Sequence, residues 1–355
     1  MKNQIYELPI CIDNVECVTE CWTFNRMAIL KTLPYYEDWI ASHYELYATS
    51  NYNFFFGQLR LYAPEYYDMV LERRFINLFE LTQNNVVDRL KDELSKGYYL
   101  NMYFKPFEDE DWYHEVLIFG FNDKDMVFYC IGLENQIFKE KSYDYTYVEG
   151  VLEIVKAHIK KTNKGLLALC YQNVLSAFKP KEDYWTGNCV FEAYNKIINE
   201  LRGEGWSGHV LNDYGDYSKN AQCYKGISCL EALMDMLNKL IVGECIGEDF
   251  RGITNAFKKI YEHRYMMTVS LKYVLRNWEK AMKTNAKVYV LRYEECCNIT
   301  QKWVGMAIKY EITSKTEILE KILAEIPEVF EKEYRCLNEF VNNSIDWEKF
   351  YEYYV

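Results

Sequence analysis

"CIDNVECVTECWTFNRMAILKTLP", Cys11 to Pro34, sets three cysteines ahead of an apolar run, and "DEDWYHEVLIFGFND", Asp109 to Asp123, sets a histidine ahead of another. A thiol and an imidazole are the parts of a nucleophilic pair: the imidazole takes the thiol proton, and the thiolate attacks a carbonyl to give an acyl-enzyme. Of the three cysteines, Cys21 directly precedes the helical spacing of Trp22 to Leu33, which puts it near a helix N-terminus. The unpaired N–H groups and positive dipole end there favour a thiolate, and the same N–H groups can hold an oxyanion. Cys17 is the main competitor, and Cys11 is a weaker one. In a chain with 12 Cys a given cysteine is usually a small buried hydrophobe, so the order of Cys21 and His114 carries more than Cys21 alone.

The elements that must position this pair are legible in outline. Asn25 to Leu33 reads as a short helix ended by Pro34, and Val70 to Lys96 as a longer helical pattern. Tyr98 to Phe104, Glu115 to Phe121 and Met126 to Ile131 read as strands, the last two forming a hairpin about the polar Asn122 to Asp125. His114 then stands at a strand mouth. Tyr147 to Lys160 is helical again, and Gly165 to Gln172 reads as a strand. From Cys189 onward the apolar spacing is mostly helical. The expectation is an α+β core over residues 1–150 and a mainly helical region over 151–355 packed on it.

Composition narrows the classes of function. Half of the 355 residues are apolar and 17% are aromatic, with 33 Tyr, which is a composition for burial rather than disorder. The net charge is −12 and no long basic block occurs, which argues against a role built on nucleic-acid phosphates and favours a small or cationic partner. The N-terminus "MKNQIYELPICID" lacks the regions of a signal peptide, so a reduced, cytoplasmic protein is expected despite its cysteines. There is no pair of CxxC knuckles, so no structural metal is expected. No apolar run reaches the roughly 18 residues that span a bilayer, so no membrane segment is expected.

A helix-start cysteine followed by a histidine opening a strand hairpin is the layout of papain-like cysteine enzymes. The spacing of Cys21, Asn25, Ala28 and Leu30, the stretch "YHEVLIFGFND", "GISCLEALMDML", and "DFRGITNAFKKIYEHRYMMTVSLKYV" with Glu262, His263 and Arg264 together resemble the butirosin-biosynthesis acyltransferase-like family, papain-fold relatives encoded among bacterial peptide-assembly genes. The chain is also similar to the cysteine-protease homologues that form amides in closthioamide biosynthesis. The resemblance implies a papain-like fold with an N-terminal Cys helix and an antiparallel sheet carrying His. It further implies acyl transfer from a carrier-protein thioester, presented on phosphopantetheine, through Cys21 to an amine such as a short diamine. No other cofactor is implied.

The chain departs from the family pattern in two places. The residue that orients the histidine is expected about sixteen positions later, where Cys130 stands; Asn135 is then favoured, with Glu134 the alternative and a plain dyad also open. The oxyanion-side Gln is absent: Val15 holds its place, and the adjoining Asn14 can offer an amide instead. A peptidase or amidase using the same pair, or a papain-like protein that binds without catalysis, are the competing readings.

The remaining polar stretches read more plainly. His43 fits a helix or loop position, His158 lies among lysines on a solvated face, and His209 sits in the Gly-rich "GEGWSGHVLNDYGDYSKNAQCYKG", which reads as a long loop. His263, between Glu262 and Arg264, reads as part of a buried polar cluster bracing helices. "YATSNYNFFFGQLRLYAPEYY" reads as a loop pinned to the core or lining a substrate groove, and "EDEDW" before His114 as an acidic run that can draw a cationic amine.

Overall fold

The computed structural model describes residues 4–13, 15, 18–19, 21–49, 54–56, 66–104, 114–134, 137–162, 174–184, 186–203, 206–208, 221–244, 246 and 252–354. The protein is α+β, and among the described residues no helix is long and apolar enough to cross a membrane. The chain runs β1 (Ile5–Glu7), α1 (Cys21–Leu30), α2 (Tyr36–Ser42), β2 (Leu46–Thr49), β3 (Phe54–Phe56), β4 (Leu71–Asn77), α3 (Val86–Ser95), β5 (Tyr99–Phe104), β6 (His114–Asn122), β7 (Val127–Glu134) and β8 (Ile137–Asp144). It continues through α4 (Tyr145–Thr162), β9 (Val174–Pro180), α5 (Cys189–Arg202), β10 (Trp206–Gly208), β11 (Ala221–Lys225), α6 (Cys229–Ile241), α7 (Ile253–Asn277), α8 (Ala286–Thr313), α9 (Glu317–Asn343) and α10 (Trp347–Tyr354).

Two compact units divide the described residues: 4–36 with 66–184, and 37–56 with 186–354. The division expected at residue 150 therefore falls inside α4 of the first unit, and the segment around β2 and β3 joins the later part of the chain.

The first unit is built on a seven-stranded antiparallel sheet in the order β4-β9-β5-β6-β7-β8, with β1 added beside β6. One face carries the apolar core: Leu100, Met102, Val116, Ile118 and Cys130 meet Val86, Leu90 and Leu94 of α3 and Val148, Leu152 and Val155 of α4. The α3 residues recur every four positions, which gathers them on one stripe; each fully buried Leu or Val contributes roughly 1.5–3 kcal/mol. The other face receives α1, whose Phe24 stacks on Phe138 of β8 with ring centroids 3.8 Å apart. Covered on both faces, β6 has a continuous buried run from Val116 to Phe119 rather than an alternating one. A bulge between Ile118 and Gly120 resets the register, and Gly120 is where β1 crosses: a Cβ there would lie 2.6 Å from the Tyr6 carbonyl oxygen.

The helix expected from Val70 to Lys96 is instead the edge strand β4 followed by α3. In β4 only Leu71 and Ile76 are buried, a spacing that shows no strand alternation, because an edge strand with Arg73 and Arg74 leaves much of both faces to solvent. The strand expected over Gly165 to Gln172 lies outside the described residues, and β9 begins just beyond it.

In the second unit the two stretches expected to be loops supply a sheet. β2 and β3 from one and β10 and β11 from the other pair antiparallel in the order β10-β11-β2-β3. Strands of three to five residues are too short for a period to register in sequence. The helices follow the expected pattern, with α7, α8 and α9 the longest.

Candidate active site

Cys21 is the first residue of α1 and is half-buried. The first turn of that helix, Cys21 to Phe24, holds no acidic residue to offset the positive end of its dipole. His114 is the first residue of β6 and pairs with Phe104 of β5. Glu134 closes β7, opposite Ile137 of β8. The β6–β7 register runs from Leu117 with Ile131 and Ile118 with Cys130 to Asn122 with Val127. Asn135, Asn14, Cys17, His209 and the acidic run before His114 lie outside the described residues.

Cys130, at the place where an orienting residue is expected, is fully buried in the apolar core beneath α3 and α4. Burial pushes its thiol well above the ordinary cysteine range, so it is a packing residue. Cys11 lies beside α1, its N–H donating to the Ala28 carbonyl at 3.0 Å.

What ties α1 to the start of β6 is polar. Asn25 donates through Nδ2 to Oδ1 of Asn101 on β5 at 3.3 Å, Asn101 donates through Nδ2 to Oε2 of Glu115 at 3.3 Å, and the Arg26 guanidinium stands 3.6 Å from the same oxygen. Arg26 is 3% exposed and Glu115 14%. The guanidinium also lies over the rings of Phe178 and Tyr67, with centroids at 4.5 and 5.7 Å. Asn25 lies one helical turn after Cys21, and Glu115 is the neighbour of His114. Sequence reading picked out Asn25 for its spacing and missed Arg26, Asn101 and Glu115. The signal was present: a charge inside "FNRMAIL" and another opening "EVLIF" are each surrounded by apolar residues, and a charge so placed needs a buried partner.

His43 and His263 belong to the second unit. His43 follows the last residue of α2, with Nδ1 3.0 Å from the Trp39 carbonyl and 2.7 Å from the Ser42 hydroxyl, and with its ring stacked on Trp39. Burial lowers its pKa against the raising effects of the Trp39 carbonyl and Glu192. His263 is fully buried, as is Arg264; its Nε2 is 3.2 Å from Glu200 of α5, while Arg264 grips Glu333 of α9 through Nε and Nη2 at 2.8 and 3.0 Å. Burial works to raise the Glu200 pKa, and the His263 and Arg264 charges overcome it and hold the carboxyl below its ordinary value. Gly226, at φ +58°, is pressed against Glu200, where a Cβ would lie 2.6 Å from Oε2. The polar cluster expected around His263 is thus a brace between α5, α7 and α9. Among the described residues no group of His, Cys, Asp and Glu is arranged to hold a metal ion.

No family model matches this chain, and no curated protein matches it.

Proposed function

We propose that this chain is a cysteine-dependent acyltransferase of papain-like fold that forms amide bonds. In this reading the Cys21 thiolate attacks the carbonyl of an acyl thioester on a carrier protein, the carrier's phosphopantetheine thiol leaves, and an amine or diamine resolves the acyl-enzyme while Cys21 regains its thiol. His114 shuttles the proton. Asn135 is favoured as its orienting residue, with Glu134 the alternative and a plain dyad also open, and Asn14 is a candidate oxyanion donor. A cytoplasmic setting, where carrier-bound intermediates are made, fits this reading. The observation that carries it is the position of Cys21: half-buried, the first residue of α1, in a first helical turn that holds no acidic residue.

The reading makes a demand on β6. Glu115 reaches α1 on one face of the sheet, whereas Val116 and Ile118 belong to the core on the other. Side chains alternate along a regular strand, so a Cys21–His114 pair requires the pleat to break at the strand's first residue. A regular pleat, with Cys130 as apolar packing, favours a second reading: a binding protein that keeps the shell without the chemistry.

Intact-protein mass spectrometry after mixing with an acyl-phosphopantetheine thioester, followed by addition of a short diamine, separates the readings. Acyl transfer gives an adduct that maps to Cys21, is absent in Cys21→Ala, falls by about two to four orders of magnitude in rate in His114→Ala, and yields amide rather than free acid. Free acid as the sole product marks a hydrolase, and no adduct refutes catalysis at Cys21.

A further inference from the structure

The polar chain beneath α1 has a direction set by its charged end. A carboxylate only accepts, so Glu115 obliges Asn101 to present Nδ2; the Asn101 Oδ1 then faces Asn25, which must present its own Nδ2. The orientation of two buried amides, and with it the seat of α1, follows from one charge. At the far end, the fully buried Oδ1 of Asn25 has no hydrogen-bond partner among the described residues. A structural tie alone is made more cheaply by apolar packing, because a buried ion pair costs desolvation that its attraction only offsets.

We infer that Arg26 and Glu115 are positioning residues for Cys21, which set the electrostatic balance at the head of α1 as well as its seat; this rests on the reading of Cys21 as the nucleophile. Arg26 is five residues, or about 7.5 Å of rise, below Cys21. The two charges oppose each other at that point. Other charges near the helix are placed differently: Glu140 of β8 and Asp13 are exposed, Arg73 is closed on Asp68 at 2.7 Å, and Lys31 lies at the opposite end of α1 over the Tyr36 ring. Lys139 and Lys141 alternate with Phe138, which packs on Phe24 of α1, and so fall on the other face of β8.

Peptide-resolved alkylation of Cys21 across pH, read by mass spectrometry, tests this. Glu115→Gln leaves the guanidinium charge uncompensated by that carboxylate and moves the midpoint of Cys21 alkylation down; Arg26→Met removes the guanidinium and moves it up. The shift is about one pH unit in each case, for a charge about 10 Å away in a medium of effective dielectric near 20. The double variant returns near the wild-type midpoint. Arg26→Lys and Glu115→Asp, which keep the charges, leave the midpoint in place and answer the question if the neutral variants fail to fold. Midpoints that move in the same direction in both neutral variants, or that move with the charge-conserving ones, overturn the inference and leave a packing role only. Wild-type Cys21 that alkylates normally yet takes no acyl group refutes the acyltransferase reading while the opposed shifts still stand. Cys21 inert at every pH refutes both.

Discussion

Replacing one partner of the Arg264–Glu333 pair should be among the most damaging single changes to the helical unit. Both side chains are fully buried, and the pair is bidentate, with N···O separations of 2.8 and 3.0 Å. Arg264→Met leaves Glu333 buried without the guanidinium that pairs with it. Breaking a buried pair from one side costs about 3–5 kcal/mol, because the cost is that of an uncompensated charge rather than of a lost contact. Arg264→Met with Glu333→Leu removes both charges and keeps much of the volume, so it should recover most of that loss, leaving a coupling energy of about 2 kcal/mol or more between the two positions. Thermal and urea unfolding of the two single variants and the double measure it; in a unit of this size each kcal/mol moves the midpoint by about 2–4 °C. If the double variant is as unstable as the sum of the singles, the two charges do not compensate each other and the account of this core is wrong.

Gly120→Ala should cost about 1–3 kcal/mol, because the added methyl would meet the Tyr6 carbonyl and the Glu7 Cα, and backbone cannot swing away as a side chain can. Hydrogen exchange should report faster opening of β1 than of β5; unchanged protection of β1 would show that the crossing has room. For His43, burial lowers the folded-state pKa below the ordinary 6.5, so the unfolded chain binds the proton more readily. Its contribution to stability is full above about pH 6.5 and is lost as pH falls through the lower folded value. Chemical unfolding at pH 7.5 and 5 should therefore show a larger loss for wild type than for His43→Gln, and equal losses would assign the acid sensitivity elsewhere.

How much of this was readable from sequence depended on the length of each element and on how it is covered. The head of α1 was legible because ten mostly apolar residues leading toward a proline leave little choice of structure. β5, β6 and β7 were legible as apolar runs between polar turns. The short strands β2, β3, β10 and β11 were not, since three to five residues carry no period and their pairing joins segments far apart in the chain. The candidate site divides in the same way. That Cys21 starts a helix is a local property, and sequence carries local properties. Which residue of β6 addresses that helix is a matter of strand parity against a distant element, and one step of register exchanges His114 for Glu115. The polar chain from Asn25 to Glu115 shows the parity directly: it fixes which face of the sheet α1 occupies, and so makes the geometry at residue 114 the point on which catalysis at Cys21 turns.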